Sequence, residues 1–525
     1  MKNLFLFTLA ISLGLIAATT DCIHAATFNV TTANISGPGS LPVAMAQANA
    51  TAGRNKINIS VSGVITLGLA LPVVTNSVAI TGVAAAPTVI SGGGTLPLFT
   101  FAAGTTNSLS NLVLANGYTT SSGAAISNAS ILSVSSCVIT NHSATNGSGG
   151  AIINSGVMAI SSSIISGNQA GTGGAVYNLG TMTLNNSQMT GNKATNGGAI
   201  YNGGSLGISI LTISNNLAAA GYLGSYGGGI YNTGTLNISQ STFVTNSAIG
   251  VSVGYLGDSG SSIGGALFIP SGTVTITNST FYQNAAIGGN NPNANRGGSG
   301  EGGFMYVGDG NCILVNCTVA NNLSIAGSGN PSGQAIAGGI TVYNTVVSLI
   351  NTIVAGNNAA NSSPDLKGAF VSSGSNLIGN NQGATGLSLF DFQNVAANLG
   401  PLQNNGGPTM TCAPLPGSYA IGYGTSTGAP KTDQRGVPRP LNGAYDIGAV
   451  QTVTNSPYLM SSAFIKGAGF TLDSIFDATN KYRIQSSTNL AAWIDLYTNT
   501  SSGVLHFTDT TATNLSRRFY RTAKP

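Results

Sequence analysis

The chain has 525 residues, 74 of them Gly, and sets 16 Lys or Arg against 12 Asp or Glu for a formal charge of +4. Charged residues make up 5% of it, against about 25% in a typical soluble protein, so surface polarity falls to Asn, Ser and Thr, which points to extended β structure with many turns. Lys and Arg form no patch able to follow a phosphate backbone, and nucleic acid is not an expected partner.

Residues 1–25 read as a secretory signal peptide, with Lys2 ahead of an apolar run from Leu4 to Ala18 and small residues around Ala25. No later stretch reaches about 18 consecutive apolar residues, so no transmembrane span is expected. "GPGSLPVAMAQANA" then places Leu41, Met45 and Ala48 at helical spacing behind Ser40. This predicts a helix that lids the first turn of the structure that follows.

A repeat begins at the double glycines. Its copies open at Gly123, Gly149, Gly173, Gly197, Gly227, Gly264, Gly302 and Gly338, so the unit lengthens along the chain. A fixed unit with growing insertions is the mark of a solenoid whose neighbours bury each other's apolar face. Within each copy apolar residues alternate, as in Met182 and Leu184 or Leu236 and Ile238, which predicts short strands with one face inward. A small residue follows (Cys137, Ser163, Ser187, Leu211, Ser241, Ser279, Cys317, Thr352), and five positions later stands a column of His142, Asn168, Asn192, Asn216, Asn246, Asn284, Asn322 and Asn357. Stacked amides bond from coil to coil, so this column is expected to be structural. The fold class is all-β: a right-handed parallel β-helix, pectin-lyase-like, over residues 26–455 with an N-terminal cap and a closing segment, then a small β-sandwich over 456–525. Cys137 and Cys317 share a slot six coils apart, beyond disulfide reach, and are expected as small buried hydrophobes.

Chemistry is sparse. Between Thr27 and Ser362 the only acids are Asp258, Glu301 and Asp309, and no two fall at equivalent positions of adjacent coils. No Ser-His-Asp arrangement, metal-ligand spacing or phosphate loop is present, and no metal or cofactor is expected. If the chain is an enzyme, a polysaccharide lyase or glycoside hydrolase, Asp258, Arg296 and Glu301 would carry it from the long insertions. The aliphatic residue of each "GGAIYN" is expected inward, which turns the next position outward: Ser127, Ile153, Tyr177, Tyr201, Tyr231, Phe268, Tyr306 and Val342. Its aromatic members, Tyr177, Tyr201, Tyr231, Phe268 and Tyr306, read either as a ligand-binding strip for sugar rings or a partner's apolar surface, or as a stack that stiffens its own sheet.

"GGAI" or "GGAV" followed by "FVTN" or "FYQN" resembles the repeats of chlamydial polymorphic outer membrane proteins, which implies a β-helical surface adhesin. "TFNVTTANISGPGSLPVAMAQAN", "LGPLQNNGGPTMT" and "TDQRGVPRPLNGAYDIGAVQ" resemble the bacterial choice-of-anchor Q family, exported β-helix proteins, with Gly422 and Pro42 standing where that family carries an acid and an Arg. From about Ser456 the composition shifts, with eleven charged residues in the last 70 against seven from Thr27 to Ser362. This tail resembles the β-sandwich modules that end exported bacterial proteins, and it stands where an anchor is expected. Arg517, Arg518, Arg521 and Lys524 read as a solvated edge or a contact for acidic polymer. Together these readings give a secreted or cell-surface monomer that binds a glycan or a cell-surface partner.

Overall fold

The computed structural model describes residues 26–525 apart from 220–223, 254–256, 294, 361–363, 442, 453–457, 466–468, 477–481, 499–502, 515–516 and 524–525. Residues 1–25, read from the sequence as a signal peptide, therefore lie outside the described residues, as do Lys524 and residues 453–457 ahead of the expected terminal module.

One copy of the repeat makes one coil of a parallel β-helix, and the copy from Gly173 shows how. Val176–Asn178 forms a first strand lane, Thr181–Thr190 a second and third joined at a bend, and Lys193–Ala194 a fourth. Each lane pairs in parallel with the next coil: Val176 with Ile200, Thr181 with Ser205, Lys193 with Leu217. Val176, Met182, Leu184 and Met189 point inward, buried in one apolar core with their counterparts along the solenoid, and Ala194 of the fourth lane is buried as well. The two glycines have separate jobs. Gly197 sits at φ 64°, and a Cβ there would meet the Ile200 carbonyl at 2.2 Å; a Cβ on Gly198 would meet the Gly228 carbonyl of the next coil at 2.1 Å. The first glycine turns the chain, and the second lets coils approach.

The register corrects the last copy by one residue. Met305 pairs with Ile340 and Tyr306 with Thr341, so Ala337, at φ 44°, takes the place of the turning glycine. Gly338 is the second glycine of its pair, and Thr341 rather than Val342 continues the aromatic position.

The Asn column is a directional ladder. The backbone N–H and the Nδ2 of Asn168 both donate to Oδ1 of Asn192, at 3.0 and 2.9 Å, and the pattern recurs through Asn216, Asn246, Asn284, Asn322 and Asn357. Every interior member must donate and accept, which Asn does and Asp does not. At the last rung only acceptance is required, and there stands Asp365, whose Oδ1 receives the N–H and Nδ2 of Asn357 at 2.9 and 2.7 Å. The small-residue slot works likewise. Ser163 Oγ accepts from the Cys137 N–H and donates to the Ser161 carbonyl, and this line ends with Asn376 donating to Asp391.

A second Asn ladder went unread in the sequence. Asn128, Asn154, Asn178 and Asn202 each donate Nδ2 to the Oδ1 of the next, ending on Asn232, at 2.7–2.8 Å, all buried at the turn between the first and second lanes; Asn232 donates its own Nδ2 to the Gly234 carbonyl. Ile269 takes the equivalent place after Asn232, and Val307 the next.

His142 opens the first ladder where the preceding coil carries Gly117. Its Nδ1 accepts from the Gly117 N–H at 2.9 Å, and Nε2 lies 2.9 Å from the Leu114 carbonyl, which fixes the neutral form with the proton on Nε2. The ring occupies the space a side chain on Gly117 would need, since a Cβ there would meet Nδ1 at 2.5 Å.

The predicted lid is the helix Leu41–Ala50, with Leu41, Ala44, Met45 and Ala48 buried in the solenoid core. Ser40 does not cap it through its side chain; the hydroxyl donates back to the Gly37 carbonyl at 2.7 Å. Asn55 instead holds the helix end, donating Nδ2 to the carbonyls of Ala48 and Thr51. No helix among the described residues is long and apolar enough to cross a membrane.

The closing segment covers a flank. Residues 409–448 return along the bend between the second and third lanes, where Thr409 donates to the Gln240 carbonyl, Asn278 to Thr432, Asn316 to Asp446 and Asn351 to Thr425. "TDQRGVPRP" supplies its buried frame: Asp433 pairs with Arg435 at 2.8 Å, and Arg439 donates to the carbonyls of Asp446 and Gly448. The four cysteines after the signal, Cys137, Cys312, Cys317 and Cys412, are free and buried.

The tail forms two three-stranded antiparallel sheets. Phe470 and Tyr520 stack between them with ring centroids 4.0 Å apart. Arg518 pairs with Asp509 at 3.1 Å and Arg521 lies over the Trp493 ring, so two of the four expected basic contacts are engaged inside the module.

Burial lowers the His142 pKa from its ordinary 6.5 to about 4. The folded chain therefore favours neutral His142: its contribution is intact above pH 6.5 and is lost as pH falls toward 4, on the order of 3 kcal/mol in all. His142→Asn, which restores the residue of every other rung, should lose less stability than the parent between pH 7 and 4.5 in urea titrations. Equal losses would contradict this placement of the ring.

Candidate functional site

The aromatic position of the first lane lies in register through five coils, Tyr177 beside Tyr201, then Tyr231, Phe268 and Tyr306. Strand alternation turns these side chains away from the core, as the sequence pattern requires. Tyr177 and Tyr201 stack with centroids 4.7 Å apart and planes at 12°, and Tyr201 and Tyr231 at 5.1 Å and 23°. Neighbours thus use each other's ring faces, the rings stay partly exposed, and the Tyr201 hydroxyl lies 3.5 Å from Thr233 Oγ1. A sugar ring laid face to face on the strip, as the sequence suggested, has no free face along this stretch.

The strip is also interrupted. Tyr226, from an insertion, packs 5.0 Å from Phe268 and edge-on to Tyr231, and Phe268 is only 8% exposed. Tyr177, Tyr201 and Tyr231 form the partly exposed part of the row, with Tyr306 beyond the covered ring. Burial first, then the neighbouring Tyr201, raises the phenol pKa of Tyr177 and Tyr231 above 10, which keeps both hydroxyls as hydrogen-bond donors.

The insertions build a sheet of their own. Ser225–Tyr226, Ser262–Ile263, Gly300–Glu301 and Ala335–Ile336 pair in parallel as a four-stranded ladder beside the coils. Asp258 and Arg296 meet here, but through the backbone: the Arg296 N–H donates to Asp258 Oδ1 at 3.2 Å, with both residues exposed. Glu301 is turned elsewhere. Half-buried, it has a pKa raised by burial, and its charge joins burial in pushing Tyr306 up to about 12. Among the described residues no side-chain hydrogen bond or ion pair joins Glu301 to Asp258 or Arg296, and no group of three His, Cys, Asp or Glu converges. The three residues named as a possible catalytic set are thus a backbone-bonded pair and a separate carboxyl beside the tyrosine row.

A cleft of about 560 Å³ lies elsewhere, between the last coils and the start of the return segment. Tyr282, Asn321, Asp365, Asn380, Asn394 and Cys412 are among its lining residues. Asp365 is 2% exposed, and burial pushes its carboxyl up to about 6 against the hydrogen bonds from Asn357. Asp365 and Asp391 lie just past the Thr27–Ser362 span whose acids the sequence pattern singled out. The signal was present as the acid that ends the Asn column and the small-residue line, in "SSPDL" and "LFDFQN".

Neither the scan against protein-family models nor the search of curated proteins finds a match to this chain.

The electrostatic influence of Glu301 on Tyr306 can be read directly. Glu301→Gln should lower the Tyr306 pKa toward its ordinary value in a ring-carbon NMR titration, while an unmoved Tyr306 would show that the carboxyl does not face it.

Proposed function

We propose that this chain is an exported, surface-associated β-helix protein that binds a glycan or a cell-surface partner along its tyrosine row. The observation that supports this is the run of Tyr177, Tyr201 and Tyr231: three stacked, partly exposed rings in register on adjacent coils. A parallel ladder repeats at about 4.8 Å, so the hydroxyls form an evenly spaced line suited to an extended polymer. Because the ring faces are shared, recognition runs through hydroxyl hydrogen bonds and edge contacts. The resemblance of the repeats to chlamydial surface adhesins and of the flanking blocks to the choice-of-anchor Q family supports the same role. The signal sequence agrees with export, and the terminal module occupies the place of an anchor. The chain acts as a monomer in this reading, since the row lies within one solenoid.

A triple substitution separates binding from folding. Tyr177→Phe with Tyr201→Phe and Tyr231→Phe keeps the stack and removes only the hydroxyls. On a glycan array and on intact cells the parent should bind and the triple variant should bind at least about tenfold more weakly, with an unchanged melting temperature; three lost hydrogen bonds at about 0.5–1.5 kcal/mol each suffice. Undiminished binding by the variant would refute the proposal, as would Ca²⁺-dependent cleavage of acidic glycans by the parent.

A further inference from the structure

The cleft between the last coils and the return segment has no part in the tyrosine row. It is lined from the third lane by Tyr282, Ala320 and Ala355, from the bends after that lane by Asn321 and Asn380, from the ladder's last rung by Asp365, and from the return path by residues 394–401. Its volume of about 560 Å³ falls within the range of small-ligand sites, about 300–1,000 Å³.

What lines it is selective. Asn394 spends Oδ1 on the Asn381 N–H, and Asn380 spends Oδ1 on the Gln382 N–H. Among the described residues the Nδ2 groups of both, the Asn321 amide and the Tyr282 hydroxyl have no protein partner. These are uncharged donors and acceptors, set among Ala320, Ala355, Val395 and Leu399. Asp365 closes the floor, and Gly379 gives it room, since a Cβ there would meet Asp365 Oδ2 at 2.6 Å. One carboxyl already accepting from Asn357 is too few anionic ligands for a divalent cation, which takes several oxygens. An acidic sugar would bring its charge against that carboxyl with no cation among the lining residues. Amides and a phenol beside small apolar side chains match a neutral sugar, whose hydroxyls and C–H face need both.

We propose that this cleft is a second binding site, for a single neutral sugar residue, free or at the end of a glycan. It is independent of the tyrosine row, and the triple Tyr→Phe chain should retain it.

The test uses the full chain and a panel of methyl glycosides of neutral hexoses and N-acetylhexosamines, with methyl glucuronide, methyl galacturonide and Ca²⁺ as separate arms, followed by ligand-observed NMR and calorimetry. Asn321 and Asn394 hold φ 56° and 58°, so Asn321→Gly with Asn394→Gly removes both amides without straining the backbone. At least one neutral glycoside should bind with a millimolar constant and weaken about tenfold in the double variant. Binding of Ca²⁺ or uronides alone, no binding of any neutral glycoside, or equal binding by the double variant would overturn the assignment. As a folding check, the double variant must keep the parent's melting temperature; if it does not, Tyr282→Phe, which removes only the hydroxyl lining the cleft, replaces it.

Discussion

The buried amide ladder is the constraint on which the rest of this structure depends. Each Asn from 168 to 357 offers two donors to one oxygen of the next rung, and each from Asn192 on accepts two from the rung before, Asn168 accepting one from the His142 N–H. Such a chain of bonds has a direction and a fixed register, because a rung shifted by one residue would leave several buried polar groups unpaired, each costing about 1–3 kcal/mol. Its ends follow from the same rule. A residue that only accepts, Asp365, stands at one end, and at the other an imidazole fills the space over Gly117. With so few charges in the chain, this internal bonding together with apolar packing sets the alignment of the coils.

Register then decides what the surface presents. A tyrosine recurring at one position of the repeat becomes a stack of rings about 5 Å apart, because the ladders hold successive coils in step. The same regularity confines distinctive chemistry to departures from the repeat. Insertions build the side sheet that covers Phe268 and bring Glu301 beside Tyr306, while the return segment creates the cleft over Asp365. The buried Asp433 and Arg435 pair fixes that segment rather than serving any visible reaction.

Much of the fold was legible in the sequence, because period-two alternation, double glycines and the Asn column are local patterns repeated many times. The column at Asn192 could be read from spacing alone, whereas the ladder through Asn178 was hidden in the same "YN" that drew attention to tyrosine. The one-residue error at Gly338 arose because three small residues, Ala337, Gly338 and Gly339, precede Ile340, and only strand pairing shows which of them turns the chain. The site was less legible. Outward placement of Tyr201 follows from alternation, but the use of its ring faces by Tyr177 and Tyr231, and the covering of Phe268 by Tyr226, depend on side-chain packing between coils. The cleft joins Tyr282 to residues more than a hundred positions later, a juxtaposition no local pattern encodes.

The central claim, that the partly exposed tyrosine edges are the recognition surface, is tested most directly by carbene footprinting of the full chain with and without the polymer or cell-surface extract it retains best. The account predicts protection centred on Tyr177, Tyr201, Tyr231 and the turn residues beside them, Leu179 and Thr233, with the opposite faces unchanged. Protection confined to the outward face of the second lane or to the terminal module, with the tyrosine row labelled as in the free chain, would contradict it.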